Sequence, residues 1–255
     1  MNTFFRRMGL GSLGAAIVLA ALGVQAQVPG AGGPAGMSAA ITKLFGDIKA
    51  FTAKAEVKVL DASQKEVVSM PMEFALLDKS IRVEMDMSQM KNQQMPPGMA
   101  NTLKQMGMAH VVSIISPANN TAFVIYPDQK SVLNMPLPKS EADAAKAPTL
   151  NKTSLGKETL EGHPCVKNKV IITDEKGEKV DAITWNATDL KDFPIQIQTK
   201  ETENTSVVKF TNVQFDTPPA TQFEVPAGFT QYHNQQELMQ GIMKKMMQSH
   251  TPEKQ

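Results

Sequence analysis

The chain has 255 residues, a formal net charge of +1, 17 Met and one Cys. Near-neutrality removes the electrostatic case for nucleic acid, whose binding needs a surplus of Lys and Arg to neutralise phosphates. The single thiol, Cys165, cannot close an internal disulfide, so stability must come from packing.

Met1 to Arg7 carries Arg6 and Arg7 and no acidic residue. Met8 to Gly23 is uncharged and rich in Ala, Leu, Ile, Val and Gly, and Val24-Gln25-Ala26 puts small residues at both cleavage positions. Residues 1–26 therefore read as a cleavable secretory signal. The run is short and Gly-rich for a membrane span of about 20 apolar residues. No Cys follows it, so no lipid anchor is expected. Cleavage would leave 24 basic residues (26 less Arg6 and Arg7) against 25 acidic ones. The expectation is a soluble periplasmic protein with no stable membrane anchor.

Residues 27–36 are Gly/Pro/Ala-rich and read as a flexible leader. Ser38 can cap a helix carrying Ile41, Leu44, Phe45 and Ile48 at i, i+3, i+4 and i+7. From Phe51 to Leu60 the period changes to two, with Phe51, Ala53, Ala55, Val57 and Val59 on one face. Val68, Met70, Met72, Phe74 and Leu76 alternate next, then Ile81, Val83, Met85 and Met87 against Arg82, Glu84 and Asp86. Three such strands predict an antiparallel meander with one face buried and one wet. Residues 89–108 form a Met-rich insert, in which Pro96-Pro97-Gly98 stops any strand and Met99 to Met108 can form a short helix. Further strands are predicted at 110–116, 121–126, 131–135, 153–160, 165–173, 180–187, 193–199 and 206–215. A Pro/Ala-rich surface loop is expected at 136–148. No linker divides the halves, so residues 37–232 are expected to form one domain with one sheet. Residues 233–255 follow as an amphipathic helix and tail, with Leu238, Met239, Ile242, Met243, Met246 and Met247 on one face.

A helix followed by Phe51-Thr52-Ala53-Lys54-Ala55-Glu56 resembles the opening of LolA-like lipoprotein-localisation carriers. Ile81-Arg82-Val83-Glu84-Met85 is similar to their Arg-bearing strand, and Phe223-Glu224-Val225-Pro226-Ala227-Gly228-Phe229 to their closing segment. Gly156 to Cys165, Trp185 to Leu190 and Phe193-Pro194-Ile195 resemble an uncharacterised secreted branch of the same superfamily. The resemblance spans about residues 40–232. It implies a mostly β, α+β fold: a curved antiparallel half-barrel of about 9–11 strands with helices over its concave face. In characterised relatives that hollow holds acyl chains. Arg82 lies on the polar face of its strand, so the lid-closing role of the family's strand arginine is not carried over to it.

On this reading an apolar cavity is lined by Ala53, Ala55, Val57, Met70, Met72, Phe74, Val83, Met85, Met87 and Trp185. Ala53 and Ala55 leave space, and flexible thioethers adapt to ligands of varied shape; simple core packing is the competing reading of the same methionines. Met95, Met99, Met106 and Met243 are lid candidates. Soft-metal capture is the alternative, since thioethers suit Cu(I) and His110, His163 and Cys165 could add ligands. Pro164 restricts convergence of His163 and Cys165, and no Cys/His pair has metal spacing, so no metal site is assigned. The four His lie in no nucleophile or metalloprotease motif, and Glu84 and Asp86 read as solvated. No catalytic residue and no cofactor is assigned. The expected function is non-enzymatic binding of a lipid or of lipoprotein acyl chains; an interaction or sensor domain for another envelope protein is a further alternative. Ten buried methylenes gain about 8 kcal/mol gross against an association cost of about 4–15 kcal/mol, so a carrier needs a preformed hollow.

Overall fold

The period-two stretches form strands because their alternate apolar side chains all reach one face, and in a computed structural model that face is the inside of a single curved sheet. The structure describes residues 43–92, 96, 98–116, 119, 121–137, 149–173, 179–200 and 204–249. The expected signal, leader and tail, Ile41, Met95 and the stretch 138–148 lie outside them.

The first meander is β1 (Ala50–Leu60), β2 (Glu66–Leu77) and β3 (Ser80–Asp86). After a short 3-10 turn come β4 (Lys91–Asn92) and helix α1 (Met99–Gln105), then β5 (His110–Ser116), β6 (Thr121–Tyr126) and β7 (Ser131–Pro136). The second half supplies β8 (Thr149–Leu160), β9 (His163–Thr173), β10 (Lys179–Ala187), β11 (Phe193–Lys200) and β12 (Thr205–Gln214). β13 (Thr230–Tyr232) and helix α2 (Gln235–Ser249) end the described chain. The sheet order is β13-β7-β6-β5-β3-β2-β1-β12-β11-β10-β9-β8, with β4 added beside β2. Eleven strands of six or more residues thus meet the expected count, and two short ones add to it. β4 pairs Val68 and Ser69, the part of β2 that the shorter β3 does not reach. β13 runs parallel to β7, while the other pairs are antiparallel.

The two halves join where β1 pairs with β12, placing Ala55 opposite Phe210 and Val57 opposite Val208. Phe45, just past the last helical residues of the opening segment, fills the concave side of this seam. Its ring centroid lies 4.8 Å from Phe51, 5.8 Å from Phe74, 5.4 Å from Phe193 and 5.8 Å from Phe210. Such tilted and edge-on pairs add to the area that each ring buries.

The convex face departs from the expected wet surface. Val112, Ile114, Ile125 and Val132 are buried there in a second, smaller core, packed against Phe223, Val225 and Phe229 of the segment before β13. That segment crosses the outside of the sheet, and α2 then reaches the concave core through Leu238 and Ile242. The insert helix stops at Gln105, three residues earlier than its pattern allows. Gly107, at φ 61°, lets Met108 N–H donate to Leu103 O and Gly107 N–H to Lys104 O, a Schellman closure.

The stripe on α2 also divides. Leu238 and Ile242 are buried and Met246 half-buried, while Met243 and Met247 stand exposed. Gly241 within the helix is explained by Tyr232: a Cβ there would lie 2.1 Å from Tyr232 Oη and 2.5 Å from Cζ. Gly241→Ala gains about 1 kcal/mol of helix propensity but forces the ring aside at a cost of about 1–3 kcal/mol. Urea unfolding should show the variant to be less stable than the parent, whereas in a Tyr232→Ala background the same change should stabilise. An equal effect in both backgrounds would separate Gly241 from Tyr232.

Candidate functional site

Nine of the ten expected cavity residues meet on the concave face of the first half. Strand pairing sets Ala53 opposite Phe74, Ala55 opposite Met72 and Val57 opposite Met70, and continues to Val83 and Met85 on β3. All nine, Met87 among them, are 0–7% exposed and belong to one core cluster. Phe51 and Phe74 stack at 5.5 Å there.

Trp185 is placed differently. On β10 the alternation of size is inverted: the polar Thr184 and Asn186 line the concave side, while Trp185 pairs with Lys167 and Gln196, which share its opposite face. Trp185 is itself buried, 6% exposed, in the same core cluster as the nine, and its indole donates to Glu158 while Lys167 Nζ sits 4.8 Å from the ring centroid.

A cavity of about 660 Å3 opens at the other end of the sheet, between residues 43–50 and strands β8 to β10. None of the ten expected residues lines it. Its walls are Leu44, Phe45, Ile48, Leu150, Val170 and Phe215, and its floor is Thr184 and Asn186. Lys43, Lys49, Lys152, Lys191, Asp47 and Asp192 also line it, with Gly46 and Ala50. The space exists because β8 ends the sheet order and turns Leu150, Lys152 and Ser154 inward, opposite Ile172, Val170 and Asn168. Phe45 connects the two regions, since it lines the cavity and packs on Phe74.

The floor is satisfied from within. Thr184 Oγ1 donates to Asn186 Oδ1 at 2.7 Å, Asn168 Nδ2 donates to the same oxygen at 3.0 Å, and Asn186 Nδ2 donates to Asp192 O at 2.7 Å. The sequence signal for this floor was a pair of polar residues two apart on one strand face, at Thr184 and Asn186. Lys191 and Asp192 come from a turn in which both have positive φ, and nothing in the period marks them.

The lid candidates lie elsewhere, and Met95 is outside the described residues. Met99 is exposed on α1, Met106 caps the end of α1 half-buried, and Met243 is exposed on α2. Both helices are tied to the turn between β6 and β7. Gln129 Nε2 donates to Met106 O at 2.6 Å, and Lys245 Nζ donates to Gln129 O at 2.7 Å and to Ser131 Oγ at 3.0 Å. Burial lowers the Lys245 pKa. In sheet order this turn is far from β8.

The residues weighed for metal or acid-base chemistry are dispersed. Cys165 Sγ donates to His163 O at 3.4 Å, and burial raises its thiol pKa, as do the charges of Asp189 and Glu158. His163 Nδ1 lies 2.8 Å from Asp189 Oδ2. Among the described residues no three His, Cys, Asp or Glu side chains gather as a metal site, and no helix is long and apolar enough to cross a membrane. Arg82 pairs with Glu84 on its own strand, and Glu84 Oε1 lies 2.6 Å from His110 Nε2. Arg82 shares its face with Ile114 of the second core, so it stands on the convex side, away from the cavity.

No family model matches the sequence, and no curated protein matches it. Solved structures do. The chain is similar to a LolA superfamily protein from Nitrosomonas europaea (9% identity, 74% of this chain and 96% of that one, TM-score 0.34). It is similar to LprF from Mycobacterium bovis (10%, 76% and 97%, TM-score 0.38). It is also similar to the lipoprotein LppX from Mycobacterium tuberculosis (10%, 72% and 96%, TM-score 0.39).

The Glu84 network sets a pH dependence. Burial raises the Glu84 pKa, but hydrogen bonds from Arg82 and His110 and their charges outweigh it, so the carboxyl titrates below its ordinary 4.5. A depressed folded value means stability present above 4.5 and lost as pH falls through the lower folded value. Glu84→Gln should therefore be less stable than the parent near neutrality, and the gap in urea midpoint should close as the solution is acidified. A gap that stays constant with pH would refute the assignment.

Proposed function

We propose that this protein is a non-enzymatic binding or carrier domain for an apolar ligand, a lipid or lipoprotein acyl chain, acting in the periplasm. The observation that carries the reading is the preformed hollow of about 660 Å3 with an apolar wall of Leu44, Phe45, Ile48, Leu150, Val170 and Phe215. That volume falls within the range of about 300–1,000 Å3 typical of small-molecule pockets. A preformed hollow also reduces the association cost, because the chain need not open its own core. The Met- and Phe-rich interior beside it supports Phe45 from behind. On this reading Ala53, Ala55, Met70, Met72 and their neighbours act as the packed support of the pocket.

Mild extraction followed by native mass spectrometry should find protein carrying lipid mass, and the emptied protein should take up a fluorescent fatty acid. Leu150→Trp projects a ring into the hollow. Excluding two methylenes, each worth about 0.8 kcal/mol, should weaken uptake about tenfold. Its urea midpoint should stay close to the parent's, because Leu150 is only half-buried on the edge strand. A protein that emerges lipid-free and ignores the probe would sink the reading.

A further inference from the structure

We infer that the cavity selects a single-chain anionic amphiphile, one acyl chain ending in a negatively charged head, and holds that head at a lysine rim. This rests on the binding reading above and names its ligand class.

The size fits one chain: a hollow of about 660 Å3 lies in the range of about 300–1,000 Å3 of small-molecule pockets, which suits a single acyl chain with a small head.

The charge selects the head. Four lysines and two aspartates line the cavity, and Lys49, Lys152 and Lys191 reach it from three separate parts of the chain. Lys49 and Lys152 form no ion pair among the described residues, and Lys191 lies with Nζ 4.5 Å from the Phe215 ring centroid. Lysine suits this place, because its long stem can cover apolar wall while the ammonium stays at the water boundary.

The floor cannot do the same work. Asn186 Oδ1 already accepts two hydrogen bonds, and Asn186 Nδ2 donates to Asp192 O. A satisfied floor tolerates a methylene chain laid over it, whereas an unpaired one would exact a desolvation cost. The acyl chain therefore lies inward, against the floor and the Phe45 wall, and the anion lies outward among Lys49, Lys152 and Lys191.

The test uses the full exported chain stripped of bound lipid, with palmitate, lysophosphatidic acid and neutral monopalmitoylglycerol as competitors of a fluorescent fatty acid. At low salt both anionic amphiphiles should bind about tenfold more tightly than the neutral one, the gain expected of a few exposed ion pairs. The ratio of anionic to neutral affinity should fall towards one in the Lys49→Gln/Lys152→Gln/Lys191→Gln variant. It should fall likewise for the unmodified protein in high salt, a measurement that needs no variant. Which anion binds more tightly identifies the head group as carboxylate or phosphate. Equal affinity for anionic and neutral ligands overturns the anion selectivity but leaves the acyl-binding reading standing. Binding of none of the three overturns both.

Discussion

A single curved sheet has one interior face, and something outside the sheet must cover it. Here that cover is seated through Phe45. Its ring meets Phe51 of β1, Phe74 of β2, Phe193 of β11 and Phe210 of β12, so four strands from both halves converge on one side chain. β1 is among the first strands made and β12 among the last, and their pairing closes the seam beneath that ring. The rest of the architecture follows from this long-range closure: the first meander is only half a wall until the second arrives, and the plug has no seat until both are present.

The same constraint explains where the hollow lies. Around the seam the inward side chains are large or closely meshed, and Met70, Met72 and Met85 fill the irregular gaps that a curved face leaves. On β10 the inward residues Thr184 and Asn186 are polar, and two strands further on the sheet ends at β8. Residues 43–50 span from the Phe45 seat towards that end without filling it. The hollow is thus a consequence of covering an asymmetric sheet with a plug anchored at one point, and Leu44, Phe45 and Ile48 of the plug supply half of its apolar wall.

Strand positions were legible because alternation is a strong signal wherever one face is buried and the other wet, as in β1 and β3. It failed where both faces carry apolar residues or where a polar face is buried. His110-Val111-Val112-Ser113-Ile114-Ile115 has apolar side chains on both faces, and that loss of alternation was the available sign that β5 is covered twice. On β10 Thr184 and Asn186 are as buried as Trp185 on the opposite face, so hydrophobicity does not mark the polar side as an inner one. The cavity draws on a turn, an edge strand and the tail of a helix. Such residues share no period, which is why the eight buried strand residues, with Met87 just past β3, were readable as a set and the cavity lining was not.

Lys152 has two physical reasons to be where it is. β8 is an open edge twelve residues long, and charged side chains, lysine above all, keep such an edge from pairing with another chain. Edge protection accounts for Lys152 and Lys157 without any ligand. It does not account for Lys49, which precedes a strand paired on both sides, or for Lys191, which stands in a turn between β10 and β11. Both nevertheless border the same hollow as Lys152. Protection of the edge predicts lysines spread along β8, whereas recognition of an anion predicts lysines gathered around one volume from unrelated parts of the chain. The positions of Lys49 and Lys191 fit the second pattern.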